Sequence, residues 1–248
     1  MEGYDASTYG ERFADVYDDW YADPAGTEAA AARLAVLAAG RPVLELGVGT
    51  GRLAVPLARS GATVSGVDAS PAMLERLTAT ARRAGATVTT HLGDMAGPLP
   101  AGPFGLVFVA RNTFFNLTSD EAQARCLAEV ARVLAPGGVF VVEAFVPEAS
   151  VERSSAVEVR DITADRVVLF VDRHDPRTQD AWSSYVEITP AGVRLRPTHI
   201  RYRTPAQLDA MAAAAGLALS DRWADWDASP FGDDSTSHVS LYRRASGR

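Results

Sequence analysis

Three glycines at alternating positions, Gly47, Gly49 and Gly51, follow the apolar run 43–46 and carry the clearest chemical signal in the chain. A dinucleotide-binding fingerprint has the spacing G-x-G-x-x-G, whose last glycine lets a helix N-terminus face a diphosphate. The spacing here is G-x-G-x-G, which makes a tighter loop. Glu45, two residues before the first glycine, would repel a phosphate and attract an ammonium. The loop therefore predicts an adenosine cofactor that has a cationic amino-acid end and no diphosphate.

Two carboxylates follow at the ends of the next strand-like runs. Asp68 comes about 20 residues after the loop, where a carboxylate can accept hydrogen bonds from both ribose hydroxyls. Asp94, in the triplet Gly93-Asp94-Met95, can accept a hydrogen bond from an adenine amino group beside the apolar side chain of Met95. Met73 can contact the other face of the base. Because ligands bind open α/β sheets at the carboxyl ends of the strands, we expect these groups to converge.

Five short apolar or β-branched runs alternate with helical patterns, which indicates parallel strands joined by crossover helices. The runs are 43–46, 63–67, 87–91, 106–110 and 139–143. Four further strand-like runs with turns between them predict an antiparallel insertion: 156–162, 167–173, 182–188 and 193–202. A helix at 204–215 and two strands at 219–223 and 237–243 would then complete the main sheet. The fold class is α/β, doubly wound and mostly parallel.

Composition limits the function classes. A chain of 248 residues can form one α/β domain with an insertion. The net charge of −7 and the scattered basic residues argue against a nucleic-acid partner. The single cysteine, Cys126, allows no internal disulfide and favours a reducing compartment. No apolar run reaches the roughly 20 residues of a membrane span, and the start of the chain does not have the pattern of a signal peptide. We therefore expect a cytoplasmic protein with no membrane partner.

The glycine loop, Asp68, the Gly-Asp-Met triplet and the Leu-Ala-Pro-Gly-Gly turn at 134–138 together resemble the class I S-adenosylmethionine-dependent methyltransferases, over roughly residues 42–143. The resemblance implies a seven-stranded Rossmann-like sheet, S-adenosylmethionine as methyl donor and S-adenosylhomocysteine as product. It also implies which residues contact the cofactor: Gly47, Gly49, Gly51, Asp68, Met73, Asp94 and Met95, with Glu45 near the ammonium and the backbone of Ala110 closing the methionine end.

A second, shorter resemblance lies near the start of the chain. The segment 14–21 is similar to the opening helix of small-molecule methyltransferases, of which the amino-sugar N-methyltransferases are the nearest. The resemblance implies that this helix covers the cofactor, that Tyr17 reaches the methionine carboxylate or the substrate, that Tyr21 contacts the substrate, and that the insertion forms a lid. An amphipathic helix that simply buries Phe13, Tyr17 and Trp20 remains an alternative.

The domain organisation follows from these segments. We expect a single domain, 1–248, with a helical cap at 1–40 and a cofactor-binding core at 41–146. The antiparallel lid would occupy 150–203, and the last helix and strands of the core would occupy 204–248.

The acceptor site is less clearly marked. Methyl transfer from a sulfonium mainly requires alignment and exclusion of water, and a base is needed only if the acceptor is protonated. The candidate bases are His199, His238 and Glu143. His174, in a His-Asp-Pro sequence, is interpreted as a solvated turn residue.

The segment 111–116 follows the fourth strand, where the resemblance implies contact with the acceptor. We expect Arg111 to hold an anionic group, Asn112 to contact the substrate, and Phe115 to form an apolar wall. Asn112 is not followed by the Pro-Pro-Tyr pattern of many nucleic-acid base N-methyltransferases, in agreement with the acidic charge.

The sequence thus predicts an S-adenosylmethionine-dependent methyltransferase acting on an oxygen, nitrogen or carbon atom of a small molecule, such as a secondary metabolite or sugar nucleotide. Two alternatives remain: an enzyme of the same fold that uses the cofactor for other chemistry, and a non-catalytic module that binds S-adenosylmethionine or S-adenosylhomocysteine. The sequence leaves open whether the chain is a monomer or a homodimer, and it indicates no metal site.

Overall fold

The computed structural model describes residues 1–148 and 154–245. A 3-10 turn, Thr113–Asn116, follows the fourth strand. The helices of the described part are α1 (Thr8–Phe13), α2 (Tyr17–Trp20), α3 (Pro24–Ala38), α4 (Ala54–Arg59), α5 (Pro71–Arg83), α6 (Asp120–Val133) and α7 (Pro205–Ala214). The strands are β1 (Val43–Leu46), β2 (Val64–Asp68), β3 (Val88–Leu92), β4 (Phe104–Val109), β5 (Leu134–Phe145), β6 (Ser154–Ile162), β7 (Val167–Asp175), β8 (Asp180–Thr189), β9 (Gly192–Arg201), β10 (Leu217–Trp223) and β11 (Ser237–Arg244).

Seven strands form the main sheet in the order β10-β11-β5-β4-β1-β2-β3. Neighbouring strands are parallel except around β11, which runs antiparallel to both β5 and β10. The central strands β1 and β4 are buried along their whole length, as expected for parallel strands covered by helices on both faces. The predicted doubly wound α/β sheet is confirmed, and the carboxyl ends of β1, β2 and β4 meet at one edge.

Local sequence explains where the longer helices begin. Ser70 precedes α5 and its hydroxyl accepts a hydrogen bond from the backbone N–H of Met73 at 3.1 Å. Ser119 caps α6 in the same way through Ala122. Thr204 and Gln207 form a reciprocal capping box at the start of α7. Each cap satisfies N–H groups that the first turn of a helix leaves without partners.

The second sheet contains β6 to β9 in sequential antiparallel order, so the predicted antiparallel insertion is confirmed. Its predicted first residue, 150, lies outside the described residues. The prediction for His174 is wrong, because the residue lies in β7 opposite Ala181 rather than in a turn. Its Nε2 atom is 2.6 Å from the hydroxyl oxygen of Tyr202. Strand pairing extends to Asp175 and Asp180, so the turn of the hairpin begins only at Pro176, the last residue of the His-Asp-Pro sequence.

The chain start forms two short helices, α1 and α2, instead of the one helix expected over 14–21. Asp15, between these two helices, lies beside β9. Arg196 of β9 donates two hydrogen bonds to the Asp15 carboxylate, at 2.5 and 3.0 Å. Arg196 also donates to the carbonyl oxygen of Arg12. Its side chain is only 1% exposed. The ion pair therefore fastens the N-terminal helices to the small sheet.

None of the helices in residues 1–148 and 154–245 is long and apolar enough to cross a membrane.

Asp15→Ala is expected to lower the free energy of unfolding by about 2 kcal/mol, because the buried guanidinium of Arg196 loses a charged acceptor. Chemical denaturation monitored by circular dichroism measures this loss. Asp19→Ala, at an exposed position of α2, is the matched control and should change stability by less than about 0.5 kcal/mol. Equal losses in the two variants would contradict the assignment of Asp15 as the fastening residue.

Candidate cofactor and acceptor site

A cavity of about 80 Å³ lies at the edge of the main sheet where β1, β2 and β4 end. It is lined by Ala6, Tyr9, Gly10, Tyr17, Gly47, Gly49, Val67, Asp68, Ala69, Met73, Gly93, Asp94, Met95, Thr113, Asn116 and Leu117. The cofactor residues expected from the sequence that line it are Tyr17, Gly47, Gly49, Asp68, Met73, Asp94 and Met95.

The floor of the cavity depends on the absence of a side chain at Gly47. Its φ is +66°, and a β-carbon there would lie 2.3 Å from Cγ2 of Thr113. Only glycine avoids both the backbone strain and this collision. The loop after β1 is therefore in direct contact with the turn after β4, and both contribute to the cavity wall.

Asp68 ties the glycine loop to the start of α5. Its carboxylate accepts hydrogen bonds from the backbone N–H of Gly49 at 2.8 Å and of Ser70 at 2.9 Å. Burial raises the pKa of Asp68, and the backbone donors oppose that shift. A carboxylate has about four lone-pair sites, so two backbone bonds leave capacity to accept ribose hydroxyls at the cavity surface.

The adenine end expected from the sequence has the required chemistry. Asp94 accepts a hydrogen bond from the backbone N–H of Ala96 at 2.9 Å, which fixes its carboxylate at the cavity rim. Met73 and Met95 are buried and line the same cavity. Two thioether side chains and one oriented carboxylate fit a flat base with an exocyclic amino group.

Three expected cofactor residues do not line the cavity. Glu45 is buried beneath the loop, and desolvation raises its pKa well above the usual value, against a hydrogen bond from the backbone of Ala54. Gly51 faces the core, where a β-carbon would lie 2.9 Å from Leu77 Cγ. The carbonyl oxygen of Ala110 accepts a hydrogen bond from Thr113 at 3.1 Å. Their roles in cofactor binding stay predictions.

The N-terminal helices cover the cavity through contacts with both cofactor loops. Glu11 accepts hydrogen bonds from the Ser70 hydroxyl at 2.7 Å and the Ala72 N–H at 3.1 Å. Asp18 accepts from the Thr50 hydroxyl at 2.6 Å. Because Tyr9 and Tyr17 belong to the same cover, these bonds hold two phenol rings against the cavity.

The turn after β4 contains two consecutive non-glycine residues in the left-handed region, Arg111 at φ +56° and Asn112 at φ +64°. Such strain persists only where the surroundings fix the backbone. Glu143 accepts from the Arg111 N–H at 2.9 Å, and Asn112 Oδ1 accepts from the Phe145 N–H at 2.7 Å. The Arg111 side chain pairs with Asp23 at 2.8 Å.

These contacts show that Arg111, Asn112 and Glu143, which the sequence assigned to the acceptor or to a base, stabilise the turn after β4. Glu143, Arg111 and Asn112 hold the turn that presents Thr113 and Asn116 to the cavity. The ring of Phe115 is fully buried and packs against Phe145, with ring centroids 5.2 Å apart. None of the four expected residues 111, 112, 115 and 143 lines the cavity.

The two candidate histidines lie elsewhere. His199 is buried in the small sheet, 3.0 Å from Asp180 Oδ1 and stacked on Trp182. His238 is fully buried in β11, and its Nδ1 is 2.8 Å from the Ser240 hydroxyl. Burial lowers the pKa of His238 to about 4. Their catalytic roles remain untested predictions.

Tyr21 lies beside the cavity rather than in it. It lines a neighbouring pocket against the small sheet with Trp20 and Tyr185, and its ring centroid is 5.0 Å from that of Tyr17.

Sequence reasoning missed Tyr9, Thr113 and Asn116 as lining residues. Thr113 and Asn116 are three residues apart in a segment already assigned to the acceptor, and that spacing places both on one face of a 3-10 turn. For Tyr9 the sequence offers no comparable signal. No group of three or more metal-ligating side chains occurs in the part of the chain that the structure describes.

Comparison with known proteins adds an independent observation. Residues 43–138 match the family described as a methyltransferase domain. The cypemycin N-terminal methyltransferase of a Streptomyces species is 31% identical over 185 residues, which cover 73% of this chain and 74% of that protein.

Solved structures similar to this chain are also methyltransferases. The CcbJ methyltransferase from Streptomyces caelestis is 39% identical and has a TM-score of 0.89, with 98% of this chain and 100% of that chain covered. CalS10 with bound S-adenosylmethionine, an amino pentose methyltransferase from Micromonospora echinaspora, is 22% identical with a TM-score of 0.67 and covers 94% of this chain and 96% of its own. At 22% identity, the similarity to CalS10 shows a shared fold only.

Arg111→Gly is expected to weaken S-adenosylmethionine binding several-fold, because a freer turn no longer holds Thr113 against Gly47. Its free energy of unfolding should change by less than about 1 kcal/mol, since relief of left-handed strain offsets the greater chain entropy of glycine. Isothermal titration calorimetry and thermal unfolding measure the two effects.

The matched control is Ala39→Gly, which relieves a similar left-handed residue, at φ 49°, at the end of α3. This variant should keep the cofactor affinity of the unchanged protein. An Arg111→Gly protein that binds as tightly as this control would overturn the proposed role of the turn.

Proposed function

The chain belongs to the class I S-adenosylmethionine-dependent methyltransferases, and from that premise we propose that it methylates an amine nitrogen of a small molecule, of the kind made in secondary metabolism. S-adenosylmethionine is the methyl donor. The amine is favoured by the chemistry of the cavity wall and by the N-terminal methyltransferase named among the relatives.

The observation that carries the proposal is the set of phenols around the cavity. Tyr9 and Tyr17 line it, and Tyr21 and Tyr185 line the adjoining pocket. A phenol is neutral at physiological pH, and burial raises the pKa of Tyr9, Tyr17 and Tyr21 further. Neutral phenols offer hydroxyl acceptors and electron-rich ring faces, which suit an amine in either protonation state.

The lining also disfavours oxygen as the acceptor atom. Among the described residues that line the cavity there is no histidine, and we assign the two carboxylates, Asp68 and Asp94, to the ribose and adenine of the cofactor. An alcohol would need a base to become nucleophilic. An amine exists partly in its neutral form near pH 7 to 8, so it can react without a protein base.

In this mechanism the protein contributes position and a dry environment. The cofactor, when bound, supplies a methyl group on a positively charged sulfur. Tyr9 and Tyr17 orient the acceptor nitrogen along the line of the sulfur–methyl bond, and the covering helices exclude water. The nitrogen lone pair forms the new bond to carbon, the carbon–sulfur bond breaks toward sulfur, and the product ammonium releases its proton to solvent.

The test is an incubation with S-adenosylmethionine carrying a deuterated methyl group and matched acceptor pairs, an amino sugar and its parent sugar. Mass spectrometry should find the deuterated methyl group on the nitrogen of the amino sugar. The parent sugar, which carries only hydroxyl groups, should give no labelled product. Asp68→Ala supplies the cofactor-deficient control. Labelled product from the alcohols alone, or methylation at carbon, would reject the amine assignment.

We also propose that two copies of the chain associate through the outer face of the small sheet. Cross-strand pairing places three rows of side chains on this face, and none of them is charged. The aliphatic members are Val157, Val159, Ile162, Val167, Leu169, Val171, Val186, Ile188, Val193 and Leu195. Ser184 and Pro197 complete the rows. Large exposed apolar patches of this kind mark interaction surfaces.

A second copy is the occupant that fits this face. Four strands spaced ~4.8 Å apart and rows spanning about six residues make a plane of roughly 400 Å². The accessible surface of a pleated sheet exceeds its plane, so two copies would bury on the order of 1,000 Å², the size at which specific interfaces begin. A flat apolar face is self-complementary in two-fold sheet packing. The opposite face, with Tyr185, lies against the N-terminal helices, where the Tyr185 ring contacts Phe13 and Trp20.

Val159→Asp places a charge in the middle row, at a side chain that is 64% exposed. Sedimentation velocity should show a dimer for the unchanged protein and a monomer for this variant. Val36→Asp, at a valine of α3 that is 71% exposed, is the matched control and should remain dimeric. A monomeric unchanged protein, or a dimeric Val159→Asp variant, would contradict this interface.

A further inference from the structure

We propose that a second pocket, between the small sheet and the end of β5, binds a saturated ring with neighbouring hydroxyl groups, and that this ring is the non-reacting part of the methyl acceptor. The inference rests on the proposed function, which it deepens by naming the class of the amine, a cyclic polyol. The pocket has a volume of about 450 Å³, within the range of small-molecule sites.

The pocket borders the turn that also forms a wall of the cofactor cavity. Phe145, the last residue of β5, lines the pocket, and its ring packs against Phe115 with centroids 5.2 Å apart. Phe115 belongs to the 3-10 turn whose Thr113 and Asn116 line the cofactor cavity. A ligand in this pocket therefore lies beside the cavity.

One wall of the pocket is a row of hydrogen-bonding side chains on adjacent strands. Asp172 of β7 lies opposite Ser183 of β8, and Ser183 lies opposite Thr198 of β9. All three line the pocket, on the face of the small sheet that also carries Tyr185. Neighbouring strands are about 4.8 Å apart, so the row can contact more than one hydroxyl of a single ring.

Asp172 supplies the charged acceptor of this row. The hydroxyls of Ser183 and Thr198 hydrogen-bond to each other, whereas the half-buried Asp172 carboxylate has no hydrogen bond or ion pair within residues 1–148 and 154–245. Ligand hydroxyls that donate to it would replace the water lost on binding. Glu148 adds a second negative charge to the lining, which disfavours phosphate groups and favours a neutral or cationic ring.

The remaining walls combine aromatic rings with a second polar group. Nε2 of His174 is 2.6 Å from the hydroxyl oxygen of Tyr202, and both residues line the pocket. Whichever atom donates, the hydroxyl keeps a lone pair for a ligand. Phe170 and the rings of Phe145 and Tyr202, whose centroids are 5.9 Å apart, add apolar surface. A saturated ring has apolar C–H faces and a hydroxyl-bearing edge, which match these walls.

The test measures binding in the presence of S-adenosylhomocysteine, which has no methyl group to transfer. Isothermal titration calorimetry compares cyclohexylamine with a panel of methyl aminopyranosides, which have a six-membered ring and an amine and add hydroxyls. At least one aminopyranoside should bind at least tenfold more tightly than cyclohexylamine. Affinities no higher than that of cyclohexylamine throughout the panel would overturn the proposal.

Asp172→Ala should weaken binding of the tightest aminopyranoside 10- to 100-fold, the loss of about one hydrogen bond to a charged acceptor. Its affinity for cyclohexylamine should stay within about twofold. Asp165→Ala, at an exposed carboxylate in the turn between β6 and β7, is the matched control and should bind both ligands as the unchanged protein does.

Unchanged affinity of Asp172→Ala for the aminopyranoside would overturn the proposal. An equal loss for both ligands would also overturn it, because that result places the amine rather than the hydroxyls at Asp172.

Deoxy analogues tested on the unchanged protein cover the case in which Asp172→Ala fails to fold. Replacing each ring hydroxyl of the tightest aminopyranoside by hydrogen in turn should produce at least one analogue that binds at least tenfold more weakly. Affinities that all stay within about twofold would contradict the proposal. Because no methyl group is transferred in these measurements, their failure rejects the pocket assignment alone, whereas failure of the labelled-methyl incubation rejects the proposed function.

Discussion

The cavity depends on one carboxylate, that of Asp68. Its hydrogen bonds at 2.8 Å to Gly49 and 2.9 Å to Ser70 join the glycine loop to the start of α5. Ser70 extends the connection, since its hydroxyl caps α5 and donates to Glu11 of the N-terminal cover. Because burial opposes ionisation of Asp68, these donors are what keep the charged form accessible. Loop, helix and cover are thus positioned by one network that ends at the place where a ribose would bind.

A second constraint couples this network to the acceptor side. Thr113 fills the space that a side chain at Gly47 would need, so the loop after β1 and the turn after β4 are in direct contact. Two hydrogen bonds to β5 hold the turn in a strained left-handed conformation: Glu143 of β5 accepts from the Arg111 N–H, and Asn112 accepts from the Phe145 N–H of β5. Arg111 and Asn112, which the sequence assigned to substrate contact, thereby shape the wall of the cavity, and Tyr9 and Tyr17 of the N-terminal cover line it.

Features set by local sequence were predictable, and features set by distant contacts were not. The strands and the caps at Ser70 and Ser119 follow from apolar runs and hydrogen-bonding side chains a few residues apart. The glycine spacing and Asp68 indicated the cofactor for the same reason. Thr113 and Asn116 point into the cavity because residues 32 and 33 positions away fix the preceding turn. His174 continues a strand because β8 pairs with it, which no short-range pattern around His-Asp-Pro reveals.

The most direct test of this account is a calorimetric titration of S-adenosylmethionine into the unchanged protein and into Asp68→Ala, with circular dichroism to verify that both are folded. Loss of the carboxylate removes the expected acceptors for the ribose hydroxyls and the hydrogen bond that holds Gly49. We expect at least a roughly 100-fold drop in affinity, equivalent to two charge-assisted hydrogen bonds. An Asp68→Ala protein that binds S-adenosylmethionine within about twofold of the unchanged protein would contradict the central role of this carboxylate.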